Sequence, residues 1–296
     1  MLVASFLTFT LGFYGPGDPV RTLMGQNWAN EDEYLRMKRD LGLDRPFLEQ
    51  YLDYLQGALQ ADLGISYVRN RPVSALIGQG LPITFQLAAA AISLVVLLGV
   101  PLGLMAALRQ NSWLDRAVVL GSVLVHAVPA YVLAPLLLVV LVLQLEVLPV
   151  GVGWSGLFQA KMVIPVLVLV AGPLVYLVRQ VRNAVLEVLE EDYVRTAEAK
   201  GLPAQVVVLR HILPNAITPA LSQVGVIFAT MLVSSLFVED IFGLPGFGGL
   251  IVSGLITRDY PLLMGTVMVG VVLVTTVNLA TDLLYGAVDP RIRLSG

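Results

Sequence analysis

The chain contains no cysteine, which excludes disulfide staples, thiolate metal sites and cysteine nucleophiles. Charge is scarce too: Asp, Glu, Lys and Arg make up 13% of its 296 residues, about half the share of a soluble domain. Its two histidines, His126 and His211, lie far apart and form no metal-ligand cluster. No Gly-x-x-x-x-Gly-Lys-[Ser/Thr] phosphate loop occurs. There is also no Ser/Gly-rich linker or long basic tract, and a net charge of -3 points to neither nucleic acid nor a polybasic membrane contact.

Apolar residues are abundant instead, at 57% of the chain with a mean hydropathy of +0.81. They are gathered into runs free of Asp, Glu, Lys and Arg: Pro72–Leu108, Ala117–Leu145, Met162–Val178, Ile212–Val238 and Tyr260–Thr281. A bilayer-spanning helix needs roughly 20 mainly apolar residues, so each run is a span candidate. Met1–Tyr14 is apolar as well and ends at a Gly-Pro-Gly helix stop. At ~1.5 Å per residue those 14 residues reach about 21 Å, short of a ~30 Å hydrocarbon core. No basic segment precedes it and no small-residue cleavage site follows, so it reads as a first transmembrane helix whose beginning is missing.

The expected organisation is an all-α integral membrane protein of about six transmembrane helices in one membrane domain. Residues 1–14 form the first helix, 15–80 an extracytoplasmic cap, and 81–296 the membrane core with a loop at 182–214. In the cap, Glu31–Leu41 and Pro46–Leu59 read as short amphipathic helices; Phe47, Tyr51, Tyr54, Leu55 and Leu59 recur at helical spacing. Later spans are expected near 83–108 with a kink at Pro101, at 117–143, 163–181 and 216–238, and at 262–285 after a Gly/Pro-rich interfacial turn at 242–249. The short loops on one side carry nine basic residues (Arg109, Arg116, Arg179, Arg182, Arg195, Lys200, Arg210, Arg291 and Arg293) against Lys161 and Arg258 opposite. The positive-inside rule therefore places both termini in the cytoplasm.

The stretch from Glu190 to Asn215 carries the most information. Acids at Glu190, Glu191 and Asp192 suit the positive end of a helix macrodipole, and Lys200 suits the negative end. Gly201 stands at a left-handed stop, Pro203 opens a second helix and Pro214 marks re-entry into the membrane. A plain connection between spans could be far shorter, so this compact knob reads as a docking surface.

The segment resembles the signature cytoplasmic loop of bacterial ABC import permeases. Ala197 matches the last alanine of that family's Glu-Ala-Ala triplet, Gly201 its glycine and Leu213-Pro214 its closing pair. Arg195 and Thr196 stand at the first two triplet positions, and His211 stands where the family has isoleucine. Further segments are similar in order to the dipeptide/oligopeptide/nickel branch: Pro16–Pro19, Asp62–Ser66, Leu81–Thr84, Ser112–Arg116, Val238–Phe242, Leu244–Gly248, Arg258–Pro261 and Asp282 with Val288–Arg293.

The resemblance implies a type I ABC importer permease fold in the inner membrane. The implied partners are a second homologous permease, two cytoplasmic ATPase subunits that would bind ATP and Mg, an extracytoplasmic solute-binding protein and the lipid bilayer. The chain itself would then need no cofactor and be no enzyme. The implied ATPase-coupling residues are Tyr193, Arg195, Thr196, Ala197, Glu198, Ala199, Lys200, Gly201, His211, Leu213 and Pro214. His126, ionisable inside an uncharged run, and Asn278, on one face with Asp282, are the candidates for a translocation path. Peptides are favoured as the solute. A nickel permease and an ion-coupled secondary transporter are the alternatives; the first lacks a ligand cluster here, and the second normally shows midplane charges and inverted repeats.

Overall fold

A computed structural model of the chain describes residues 2–14, 18–24, 31–149 and 151–288, apart from the side chains at 2, 4, 11, 22, 126, 219–222, 282 and 284–288. Its architecture is helical, in two compact units: residues 1–84 with 243–275, and residues 85–242 with 276–296.

The first unit holds α1 (Leu2–Tyr14), α2 (Pro19–Met24), α3 (Glu31–Asp40) and α4 (Phe47–Leu59). It also holds α12 (Phe247–Thr257) and the outer ends of α5 (Val73–Leu108) and α13 (Tyr260–Val288). Both amphipathic cap helices form where the periodicity places them. α4 lays Phe47, Tyr51 and Tyr54 against the rings of Phe6, Phe9 and Phe13 on α1, with centroids 5.2–5.9 Å apart for the closest pairs. A second cluster buries Leu63, Val73, Leu76, Ile77, Phe247, Leu250 and Leu262.

The second unit is built on α8 (Val163–Leu189) and α11 (Leu213–Ile241), which pack along each other. The inner stretch of α5 approaches α8 through Gly99 and Gly103. A Cβ at Gly103 would stand 2.7 Å from the Val178 carbonyl oxygen and 2.8 Å from Val181 Cβ; one at Gly99 would stand 3.0 Å from Leu177. Two glycines four apart share one helix face, and in a membrane such small residues let backbones close to full van der Waals contact.

The helical membrane architecture is as expected: four helices among the described residues are long and apolar enough to cross a membrane, with a fifth if a bent pair crosses as one, and α1 is a shorter apolar helix. Three local expectations are corrected. Residues 73–80, placed in the cap by the sequence reading, are the first turns of α5, which runs through Leu81-Pro82 and Pro101. The expected straight span at 117–143 is α6 (Trp113–Ala127) and α7 (Ala130–Leu137, continued as wide turns to Gln144), bent by 100°. The cause is Pro129, which has no N–H and drives Val128 to φ -95°, ψ 113°, outside the helical region. The Gly/Pro-rich segment is a turn only to Gly246; α12 follows it.

Gly103→Ala is expected to destabilise the folded chain by about 1–3 kcal/mol through overpacking against α8. Gly121→Ala meets nothing within 4 Å and lies in α6, so it is expected to be neutral or slightly stabilising. Unfolding midpoints in detergent check both.

Candidate functional site

The chain between α8 and α11 folds into the knob that the sequence reading anticipates. Glu191 caps α9 (Asp192–Ala199) in extended geometry; Glu190 ends α8 instead of starting the next helix. At the far end the Gly201 N–H donates to the Glu198 carbonyl at 2.8 Å and the Leu202 N–H to the Ala197 carbonyl at 3.4 Å. With Gly201 at φ +74°, this is the paired-bond helix stop for which glycine is favoured. Pro203 then caps α10 (Ala204–Val207), which continues as wide turns Val208–Ile212 into α11.

The knob has an inner and an outer side. Val194, Ala197, Val207 and Ile212 are buried, and α9 packs against α8 and the Ala204–Ile212 segment. Tyr193, Arg195, Thr196, Glu198, Ala199, Lys200 and Gly201 are exposed and form one outer surface. Arg195 lies 3.9 Å from Asp192 on that surface, a loose pair between exposed groups. His211 and Leu213 are half-buried behind it, Pro214 is exposed in the first turn of α11, and the His211 carbonyl accepts from Asn215 at 2.8 Å. Ala197 therefore seats the helix, and its neighbours form the exposed side.

Sequence reasoning missed a pair beneath the knob. Arg182, near the end of α8, donates from Nε and Nη2 to the two carboxylate oxygens of Asp115, at 2.6 and 2.9 Å. Asp115 is 3% exposed. Its carboxylate also accepts from the Asn111 N–H at 2.9 Å, and the Ser112 hydroxyl caps α6 by accepting from the Asp115 N–H. The start of the bent pair is thus clamped to the helix that leads into the knob. The signal was present in Ser112-Trp-Leu-Asp115, a helix-capping spacing, but its arginine is remote in the chain.

Polar side chains also line one face of the second unit. Val175, Tyr176, Arg179, Gln180 and Asn183 border a hollow of about 280 Å³ on α8, and the Tyr176 hydroxyl donates to Gln223 of α11 at 3.1 Å. Of the sequence candidates for a path, Asn278 is exposed on α13, and the His126 side chain lies outside the described residues.

Two joints lie in the first unit. Asp259 is fully buried and accepts from the Ser66 hydroxyl and from the N–H groups of Tyr67, Val68 and Leu262, the backbone bonds at 3.1, 3.3 and 3.4 Å. Burial first, then the charge of Asp259, pushes the Tyr67 phenol up to about 12, so it stays protonated at neutral pH. Thr84, also buried, accepts from the Phe247 N–H at 2.8 Å, and Gly80 stands where a Cβ would meet the Gly246 carbonyl carbon at 2.9 Å. A cavity of about 580 Å³ in this unit touches Asp18, Arg45, Asp53 and Asp62. Its charged groups already pair locally, Tyr34 with Asp18 at 2.7 Å and Arg45 with Asp53 at 2.6 Å, so they do not converge on a common point.

The family model described as binding-protein-dependent transport system inner membrane component matches residues 99–294, and the model for the N-terminal part of such membrane components matches residues 1–88. The chain is 35% identical over 295 residues to the dipeptide transport system permease protein of Bacillus subtilis, covering 99% of this chain and 94% of that one. The protein of the same name from Escherichia coli K12 is 32% identical over 317 residues, covering 98% and 94%. Among solved structures, the inward-facing MetNI methionine ABC transporter aligns with a TM-score of 0.62 at 19% identity, over 72% of this chain and 96% of that chain. At that identity the likeness is one of fold.

Asp115→Asn is expected to cost about 2–3 kcal/mol, because it leaves a largely buried guanidinium without its counter-charge. Adding Arg182→Gln to that variant is expected to cost less than the two single changes summed, since both remove one interaction. Denaturant unfolding of the four proteins of this cycle in detergent measures the coupling.

Proposed function

This chain belongs to the family of binding-protein-dependent transport system inner membrane components, and from that premise we propose that it forms the pathway of a peptide importer whose ATPases dock on the 190–213 knob. It is a permease subunit of an ABC importer, an integral membrane protein and not itself the hydrolase. Dipeptides are the favoured solutes, in keeping with what the relatives at 32–35% identity are named for.

ATPase subunits and an extracytoplasmic binding protein go with membership of this family. A second, homologous permease and a pair of ATPases complete the proposed assembly, and ATP and Mg would be held by the ATPases. The excess of basic residues in one set of short loops supports a knob and termini on the cytoplasmic side.

The single observation that carries the coupling role is the two-sided build of the knob. Its inner side is tied into the second unit by Val194, Ala197 and Ile212, while its outer side presents Tyr193, Arg195, Glu198, Ala199 and Lys200 with both signs of charge. A body so anchored moves with α8 and α11 when pushed. Along α8 the clamp to Asp115 would carry that motion to the bent pair α6–α7. Tyr176, Gln180, Asn183 and Gln223 offer hydrogen-bonding groups on membrane helices, with the charge of Arg179 at the same hollow, which suits a polar solute. They are favoured as pathway residues over His126 and Asn278.

Ala199→Glu places charge on the outer surface without touching the buried seat, whereas Ala197→Glu forces a charge into it. Co-purification with the cognate ATPase subunits is expected to fall by roughly tenfold or more for Ala199→Glu, at an unchanged unfolding midpoint. Ala197→Glu is expected to lower both. Undiminished capture by Ala199→Glu would remove the docking assignment.

A further inference from the structure

Helix α4 carries more apolar surface than the first unit uses. Its residues Phe47, Tyr51, Tyr54 and Ala58 recur at helical spacing and face α1 and the core cluster. Immediately beside them runs a second stripe, Leu48, Leu52, Leu55 and Leu59, at the same four- and three-residue spacing. Leu55 is half-buried, but Leu48, Leu52 and Leu59 are 61%, 55% and 89% exposed. Glu49, Asp53 and Gln56 follow on the far edge of that stripe, opposite the α1-facing residues, and are also exposed. The helix is thus apolar over nearly half its circumference, with only half of that arc covered.

We propose that the Leu48–Leu52–Leu59 stripe lies in the bilayer, making α4 an interfacial helix that is half sunk in the outer leaflet. The occupant follows from how α4 is held. It packs on α1: the Ser5 and Tyr51 hydroxyls are 3.0 Å apart, Phe6 meets Phe47 at 5.8 Å, Phe9 meets Tyr51 at 5.3 Å and Phe13 meets Phe47 at 5.2 Å. α1 contains no charged residue, and Val3, Phe6 and Leu7 on it are exposed. A helix of that composition is at home in hydrocarbon, so α4 sits at a depth where lipid is the neighbour. The stripe continues the lipid-facing surface of α1.

The composition also favours lipid over a protein partner. The stripe is made of leucine alone, with none of the tryptophan, tyrosine or arginine that anchor protein interfaces, where leucine is under-represented. Glu49, Asp53 and Gln56 border it on the edge away from α1, where water is available. An amphipathic helix held this way needs no basic face to find the membrane, because the chain already tethers it there. The inference rests on α1 being inserted in the membrane; it does not depend on the identity of the solute.

Because the chain has no cysteine, single-cysteine variants at Leu48, Leu52 and Leu59, with Glu49→Cys and Gln56→Cys as controls, can each carry one nitroxide label. The full-length protein, assembled with its partners in phosphatidylethanolamine and phosphatidylglycerol vesicles, is then probed with oxygen, which concentrates in lipid, and with a water-soluble nickel chelate. A ratio of oxygen to nickel collisions several-fold higher at Leu48, Leu52 and Leu59 than at Glu49 and Gln56 is expected. High nickel accessibility at the stripe would place it in water, and low accessibility to both reagents would place it under another protein chain; either result overturns the proposal. Each label is kept only if the variant retains the unlabelled unfolding midpoint, and the collision ratio does not rely on transport activity.

Discussion

A peptide N–H that comes to the end of a helix inside a bilayer has no water to turn to, so it must find an oxygen within the protein. The turns that join the helices of this chain meet the same need from within the protein. Asp259 takes the N–H groups of Tyr67, Val68 and Leu262; Thr84 takes that of Phe247; Asp115 and Ser112 take those of Asn111 and Asp115. Among the described residues no buried side-chain nitrogen or oxygen lacks a partner. Two of these oxygens are carboxylates, which accept several donors at once, and Asp115 has its charge matched by Arg182. The long helices can then be almost purely apolar, because the polar requirement is met at a few turns.

The same reasoning explains why the knob can be both exposed and definite. Its shape depends on local backbone chemistry at Glu191, Gly201 and Pro203, and its seat on a few small buried side chains. Neither depends on the outer residues, which remain available for a partner. α8 joins the two: it carries the Arg182 clamp near its end and passes directly into the turn before α9. In the proposed docking role, one helix that bears both the knob and a salt-bridged handle on the bent pair is a short mechanical path.

How much of this could be read from the chain alone varies with the range of the interaction. The knob was legible because acids, a lysine, a glycine and a proline at fixed offsets each act on their own neighbours. The cap helices were legible from the spacing of Phe47, Tyr51 and Tyr54. The second span was read too short, since Pro82 was taken as its edge although it lies within α5, whereas Pro214 does stand in the first turn of α11. The bend at Pro129 was signalled by that proline, but the uncharged run around it was read as one span. α12 was hidden by its own glycines, which locally argue against a helix and are kept there by close packing, as where Gly254 lies 3.0 Å, measured from an added Cβ, from the Leu263 nitrogen. The motifs themselves were found, yet their partnerships were not: Ser66 with Asp259, Thr84 with Phe247 and Asp115 with Arg182 join residues far apart in sequence, and no local rule links them. The Gly99-x-x-x-Gly103 pattern was present and went unread; the structure gives it a partner in α8.

The central claim is that the outer surface of α9 meets an ATPase subunit on the cytoplasmic face. Ala199→Cys offers a single thiol on that surface in a chain with no other cysteine. In intact cells, the account predicts that this thiol escapes a membrane-impermeant maleimide. In inverted vesicles it should cross-link through a short bifunctional reagent to an ATPase subunit, and a second thiol placed in the cap, at Gln56, should show neither behaviour. Labelling of Ala199→Cys from outside intact cells, or its failure to cross-link in vesicles that hydrolyse ATP and transport solute, would contradict the account.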